Sequence, residues 1–150
     1  MKIRPARLED LEVIVDYNLR LAMESENLAL DQGTVRAGVE ALLRDATKGY
    51  YLVAEDEPDG AVLGQLMITY EWSDWRNGLI WWIQSVYVRG ASRGQGVFKA
   101  LFDHVSAAAR KDQGVRALRL YMDRDNDKAR RAYAKAGMHE THYLVFEMGV

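Results

Sequence analysis

Leu8, Leu11, Ile14, Val15, Leu19 and Ala22 recur every three or four residues, the spacing of a helix with one buried face. Glu9 and Asp10 suit its positively polarised start. A weaker helical pattern follows in Val35, Val39, Leu42 and Leu43. The period then changes. Residues 50–54 read as a strand, Pro58-Asp59-Gly60 as a turn, and residues 62–70 as the returning arm of a hairpin. A polar insert carrying Trp72 and Trp75 closes on Asn77-Gly78, a pair favoured in hairpin turns. Residues 79–88 are the most apolar and β-branched stretch, which predicts a central strand.

Beyond that strand, Val97, Leu101, Val105 and Ala108 share one face of a predicted helix that Gly114 ends. Residues 115–121 alternate as a strand. Asn126 is placed to cap a helix whose apolar face is Ala129, Ala132, Tyr133 and Ala136, with Gly137 as its stop. Residues 143–148 predict a last strand, and residues 2–4 a short first one halted by Pro5. The order is β-α-α-β-β-β-α-β-α-β, a mixed α/β fold. No repeat, linker or shift of composition divides it, so residues 1–150 are expected to form one domain.

Composition narrows the chemistry. With 49% hydrophobic and 28% charged residues among 150, the chain falls in the soluble globular class. Twenty Lys and Arg against 22 Asp and Glu leave a formal net charge of −2, which provides no overall field for nucleic acid or an anionic membrane. The cluster Arg116, Arg119, Arg124, Lys128, Arg130 and Arg131 therefore reads as a solvated face. The absence of cysteine excludes disulfides, thiolate catalysis and cysteine-based metal sites. His104, His139 and His142 lack metal-ligand spacing, so no metal is expected. Met1-Lys2-Ile3-Arg4-Pro5 lacks the apolar stretch of a signal peptide, and the run 79–83 is too short to span a bilayer. A cytoplasmic protein is expected.

The sharpest chemical feature is Ser92-Arg93-Gly94-Gln95-Gly96-Val97-Phe98, between a buried strand and a helix. A helix start leaves about four N–H groups unpaired and carries about half a positive charge. Glycines let a phosphate approach those donors, and Arg93 adds a planar cation. The turn suits an anion, a diphosphate above all. No Gly-Lys-Ser/Thr occurs, and the position of a third dinucleotide-fingerprint glycine is Lys99, which sets aside both nucleotide-loop motifs.

Ala91-Ser92-Arg93-Gly94-Gln95-Gly96 resembles the pyrophosphate signature Gln/Arg-x-x-Gly-x-Gly/Ala of the GNAT superfamily of acyl-CoA-dependent N-acetyltransferases, with Ala91 replacing the leading side chain. Asn126, Ala129 and Tyr133 match a second motif of that family, and the element order matches across nearly the whole chain. The resemblance implies a GNAT-like fold: a mixed central sheet with a splayed parallel strand pair, flanked by helices. It implies acetyl-CoA as co-substrate, its pantetheine arm along the backbone of Val86, Tyr87 and Val88, where an N–H polarises the thioester carbonyl. Its diphosphate would lie on the N–H groups of Gly94, Gln95, Gly96, Val97 and Phe98 beside Arg93, and some of the basic cluster would neutralise the 3′-phosphate.

Tyr133 stands where the family places its general acid, although the same residue continues an apolar helical stripe and would also serve packing. Asn126 reads as a cap, as a cofactor contact, or as both. The stretch from Thr69 to Val88 looks like the diamine or polyamine (spermidine-type) branch, with Gln84-Ser85 in place of its Glu-Asp. Gln84 can hold a water but cannot take a proton. That leaves Glu71, Asp74, Glu24, Glu26 or water itself as the base. Trp72, Trp75, Glu71 and Asp74 form either an acceptor wall for a cationic amine or a packing or dimer contact. The expectation is an N-acetyltransferase for a small primary amine, acting by direct attack in a ternary complex as a homodimer. Acetylation of a protein N-terminus or lysine, and a non-catalytic acyl-CoA-binding module, are the alternatives.

Overall fold

The change from helical to strand period at Tyr50 is where the sheet takes shape. In the computed structural model, which describes residues 1–150, five strands lie in chain order: β1 (Lys2–Pro5), β2 (Tyr50–Glu55), β3 (Val62–Ser73), β4 (Gly78–Val88) and β5 (Val115–Arg119). Neighbours run antiparallel except β4 and β5, which are parallel and joined through a helix. The helices are α1 (Leu11–Glu26), α2 (Gln32–Arg44), α3 (Val97–Lys111) and α4 (Asp127–Lys135). Strand alternation sends Leu52 and Ala54 to one face, against Leu101, Phe102 and Val105 of α3. Tyr51 points to the other face, against Ile14 and Val15 of α1 and Val39 of α2. The sheet is thus covered on both sides, which explains why β2 and β4 read as nearly continuous apolar runs.

The β3–β4 turn is longer than a two-residue Asn-Gly hairpin. Ser73 pairs with Gly78 around residues 74–77, and Asn77 takes the left-handed conformation at φ 47°. Gly78 serves close approach instead: a Cβ there would sit 2.6 Å from the Gly114 carbonyl oxygen. Two expectations change. β5 ends at Arg119, before Tyr121. Residues 143–148 form no strand, because a strand needs an edge to pair with and none of this chain lies beside them. Residues 136–143 face β5 across a groove of about 820 Å³, and the chain then runs outward.

Asp10 anchors the start of α1. It accepts two bonds from Arg4 at 2.8 and 2.9 Å and one from the Arg7 N–H at 2.7 Å. Burial acts to raise its carboxyl pKa, but the Arg4 and Arg7 hydrogen bonds outweigh that and hold it below 3.8. A lowered carboxylate stabilises the fold above its unfolded pKa, and that stability is lost as pH falls through the folded value. Asp10→Asn is expected to cost about 3 kcal/mol near pH 7, as for a broken buried pair. The gap from wild type should close as the pH is taken below about 4. Urea titrations at both pH values check this; a gap independent of pH would point to packing instead of charge.

Candidate active site

β4 carries the first element of the site. Gln65 pairs with Tyr87 and Met67 with Gln84, so Ser85 and Val86 together oppose Leu66 alone. This is a β-bulge, with Ser85 held at φ 51°, an uncommon conformation for serine. Fully buried Gln65 supports it from behind. Its Nε2 donates to the Ser85 carbonyl at 3.3 Å and to Asn18 Oδ1 at 2.9 Å, while Asn18 Nδ2 donates to the Tyr51 hydroxyl at 3.1 Å. Gln65 Oε1 is buried without a partner. Pairing between β4 and β5 stops at Trp82 and Arg119, although β4 runs on to Val88. The two parallel strands therefore splay, and the backbone at Val86, Tyr87 and Val88 presents an open edge on that side.

The turn after β4 supplies the second element. Arg89 Nε donates to buried Ser92 Oγ at 2.8 Å, which fixes the turn's base. Gly94 and Gly96 then adopt φ 78° and 80°, a region closed to most side chains, and α3 starts at Val97. Nothing lies within 4 Å of where a Cβ would be at either glycine. The helix start thus faces an open notch with its N–H groups unobstructed. Gln95 turns its side chain back, Nε2 donating to the Ala91 carbonyl at 3.0 Å.

α4 supplies the third. Asn126 caps it, Oδ1 accepting from the Ala129 N–H at 3.1 Å, which leaves the side-chain amide nitrogen free to bond elsewhere. Tyr133 packs edge-on against Phe98 at a centroid distance of 5.6 Å, so the phenol of α4 stands beside the first turn of α3. One cleft of about 1220 Å³ joins all three elements. Gln84, Val86, Tyr87, Val88, Arg93, Gly94, Gly96, Val97, Phe98, Asn126, Ala129 and Tyr133 all line it. Glu71 and the Gln95 side chain do not. At its other end the cleft runs between α1 and α2, past Leu21, Leu30, Val35, Val39 and Met67.

The sequence of this cleft matches a known family. Residues 17–138 fit the model of the acetyltransferase (GNAT) family. The chain belongs to the GNAT acetyltransferase family. It is 42% identical to a possible acetyltransferase from Clostridium difficile 630, over 99% of this chain and 97% of that one, with a TM-score of 0.93. The same fold is seen at 18% identity in a predicted acetyltransferase with acetyl-CoA from Clostridium acetobutylicum (TM-score 0.78, 97% and 95% covered). It is seen at 19% identity in a ribosomal-protein-alanine N-acetyltransferase from Brucella melitensis biovar Abortus (TM-score 0.74, both chains fully covered). No curated protein matches the chain. The protein is an acyltransferase with an α/β GNAT fold.

This acetyltransferase holds its turn arginine with an acid from α1. Arg93 donates to a carboxylate oxygen of Glu24 and, through Nε, to the Val88 carbonyl at 2.9 Å, with its guanidinium 5.5 Å from the Tyr87 ring centre. The Tyr87 hydroxyl donates to the same Glu24 at 3.0 Å. Arg93 first, and Tyr87 with it, hold the Glu24 carboxyl below the usual range. Glu24 sits in the last turn of α1, where the helix dipole disfavours an anion, so Arg93 is what keeps it there. An incoming phosphate would compete with Glu24 for that guanidinium. Glu24→Gln is therefore expected to tighten acetyl-CoA binding two- to five-fold, the scale of one exposed ion pair. Calorimetric titration reads this directly; weaker binding would mean that Glu24 positions Arg93 instead of competing for it.

The expected aromatic acceptor wall lies elsewhere. Trp72 is 63% and Trp75 90% exposed near the β3–β4 turn, and neither lines the cleft. Gly78 and Gln84 are separated by about 20 Å along a strand, which puts that turn at the wrong end of β4. Glu71 accepts from Trp82 Nε1 at 3.2 Å and from Arg119 at 3.3 Å, so its carboxylate is already engaged. With Trp72, Trp75, Glu71 and Asp74 all outside the cleft, the features that suggested a polyamine branch do not form an acceptor pocket. Lys128, one of the basic cluster expected in part to neutralise the 3′-phosphate, lines the cleft near α4, and Lys99, not expected at this site, lines it near the turn. Gln65 and Asn18 were missed entirely. A polar pair, Gln84-Ser85, interrupting an apolar strand was the only sign of the bulge they support.

Proposed function

We propose that this chain, as a single domain over residues 1–150, transfers the acetyl group of acetyl-CoA to a small primary amine by direct attack in a ternary complex. The observation that carries the reading is the continuity of one cleft from the phosphate notch at Gly94 and Gly96, past the open edge of β4, to the apolar space between α1 and α2. Acetyl-CoA supplies an activated thioester. The N–H groups of Gly94, Gln95, Gly96, Val97 and Phe98, with Arg93, would hold its diphosphate, and Asn126 and Ala129 would flank it. Lys99 and Lys128 would meet the remaining phosphate.

The bulge shifts the backbone register at Val86 to Val88, where an N–H that faces the opening would stabilise negative charge growing on the carbonyl oxygen. The acceptor nitrogen forms the new bond to the carbonyl carbon as the carbon–sulfur bond breaks. The Tyr133 phenol gives its proton to the departing sulfur. Burial raises its pKa above 10, which keeps it protonated at physiological pH. Gln84, whose Nε2 is tied to Thr69 Oγ1 at 2.5 Å, would orient a water that removes the amine proton. Glu71, also expected as a base, instead holds Arg119 and Trp82 in the wall behind. The apolar lining of the acceptor end, with Glu24 and Glu26 near it, suits an amine with a short apolar body. No helix is long and apolar enough to cross a membrane. A cytoplasmic, homodimeric enzyme without metal completes the proposal.

Thiol release from acetyl-CoA over a panel of polyamines, amino acids, aminoglycosides and peptides tests it, and a chain without cysteine adds no background. Turnover with a small apolar amine is the expected result. Turnover with peptides alone would move the acceptor to a protein, and silence with retained acetyl-CoA binding would leave a binding module.

A further inference from the structure

We infer that Gln65 is a positioning residue for acetyl transfer, which from behind β4 aims the Val86 N–H at the thioester carbonyl. The inference rests on the reaction proposed above and assigns the side chain that readies its backbone donor. Gln65 is the only buried polar residue with no exposed surface, in a strand where Leu63, Leu66 and Ile68 belong to the core. Its Oε1 has no partner, a costly arrangement that an apolar side chain of the same length would avoid. Packing therefore does not account for an amide at this position.

What the amide does is pin a strained peptide. Three residues other than glycine have positive φ. Asn27 and Asn77 stand at a helix end and in a turn, and asparagine tolerates that conformation. Ser85 lies inside β4, so its φ of 51° has to be held by its surroundings. Gln65 Nε2 donates to the Ser85 carbonyl at 3.3 Å, which fixes the plane of the Ser85–Val86 peptide. Carbonyl and N–H point in opposite directions across a trans peptide. With the carbonyl drawn to Gln65 of β3, the Val86 N–H faces the other way, to the side where pairing with β5 has stopped.

Asn18 of α1 completes the device. Its Oδ1 accepts from Gln65 Nε2 at 2.9 Å and its Nδ2 donates to the Tyr51 hydroxyl, so the Gln65 amide cannot turn without losing Asn18 too. Asn18, Tyr51, Ser85 and Val86 line the cleft, while Gln65 lies behind it. Gln65 thus acts on the thioester only through the peptide it holds.

Gln65→Met keeps the length and removes both donors. It is expected to lower kcat at least about ten-fold, with KM for acetyl-CoA within about two-fold and Tm within a few degrees of wild type. A second readout needs no acceptor. The NMR resonance of acetyl-CoA labelled at the thioester carbonyl should move downfield on binding to wild type, and Gln65→Met should lose at least about half of that shift. Ser85→Gly supplies the rescue, because glycine takes positive φ without strain; in that background Gln65→Met should cost no more than about two-fold in kcat. Asn18→Ala, at a half-buried side chain, should show the same pattern to a smaller degree, and it carries the test if Gln65→Met does not fold. An equal loss of kcat in both backgrounds, or the same carbonyl resonance with and without the Gln65 amide, would overturn the inference. So would a loss of kcat matched by a higher KM and a lower Tm, the mark of packing alone. A wild-type chain that does not bind acetyl-CoA would overturn the proposed reaction and the inference with it.

Discussion

Tyr133→Phe should lower kcat by about 100-fold or more while acetyl-CoA affinity stays within about two-fold of wild type. The two effects separate because the phenol has two parts in different surroundings. Its ring packs on Phe98, and phenylalanine preserves that contact. Its hydroxyl makes no hydrogen bond within the chain, so removing the oxygen leaves no buried partner unsatisfied. What disappears is the proposed proton donor, and general acid catalysis is worth about 10²–10⁴ in rate. Burial raises the phenol's pKa, so wild-type turnover should hold up to at least about pH 10 before donor ionisation limits it. The variant's residual rate should lack that limb. Initial rates of thiol release from pH 6 to 10.5, with calorimetric binding at neutral pH, check both halves. Unchanged turnover would show that the sulfur takes its proton from solvent.

The position of Tyr133 was legible in the sequence because its evidence is local. A cap, a helical period and a glycine stop are properties of neighbours in the chain, and the structure places Asn126, Ala129 and Tyr133 on one helix beside the turn. The glycine turn was legible for the same reason: positive φ at Gly94 and Gly96 follows from residue type and position between strand and helix. The bulge was not. Nothing in the identity of Ser85 demands φ 51°; the two-against-one register arises from Gln65 and Asn18, which belong to β3 and α1. Trp72 and Trp75 misled because proximity in sequence to β4 says nothing about which end of the strand opens. The last strand was misjudged for a related cause. Residues 143–148 have the residue types of a strand, but a strand is a relation between two segments, and here they pair with none, although β5 has a neighbour on one side only.

Gly96→Val should weaken acetyl-CoA binding by about 100-fold and lower Tm by only a few degrees. Valine at φ 80° carries a backbone cost of about 1–2 kcal/mol, which limits the loss of stability. No protein atom lies within 4 Å of the new Cβ, so the fold has no clash to relieve. The side chain would instead fill the notch through which a diphosphate must approach the start of α3, and the resulting loss is one of affinity, about 2.7 kcal/mol for that fold-change. Gly60→Val supplies the comparison. Gly60 also has positive φ, 71°, and also has nothing within 4 Å, but it sits in the turn between β2 and β3 and does not line the cleft. Its valine variant bears the same backbone strain and should bind acetyl-CoA as wild type does. Thermal melts together with calorimetric titration of both variants isolate the cradle from the strain. Equal affinity in the two would place the diphosphate elsewhere and remove the main support for reading this turn as the cofactor's anchor.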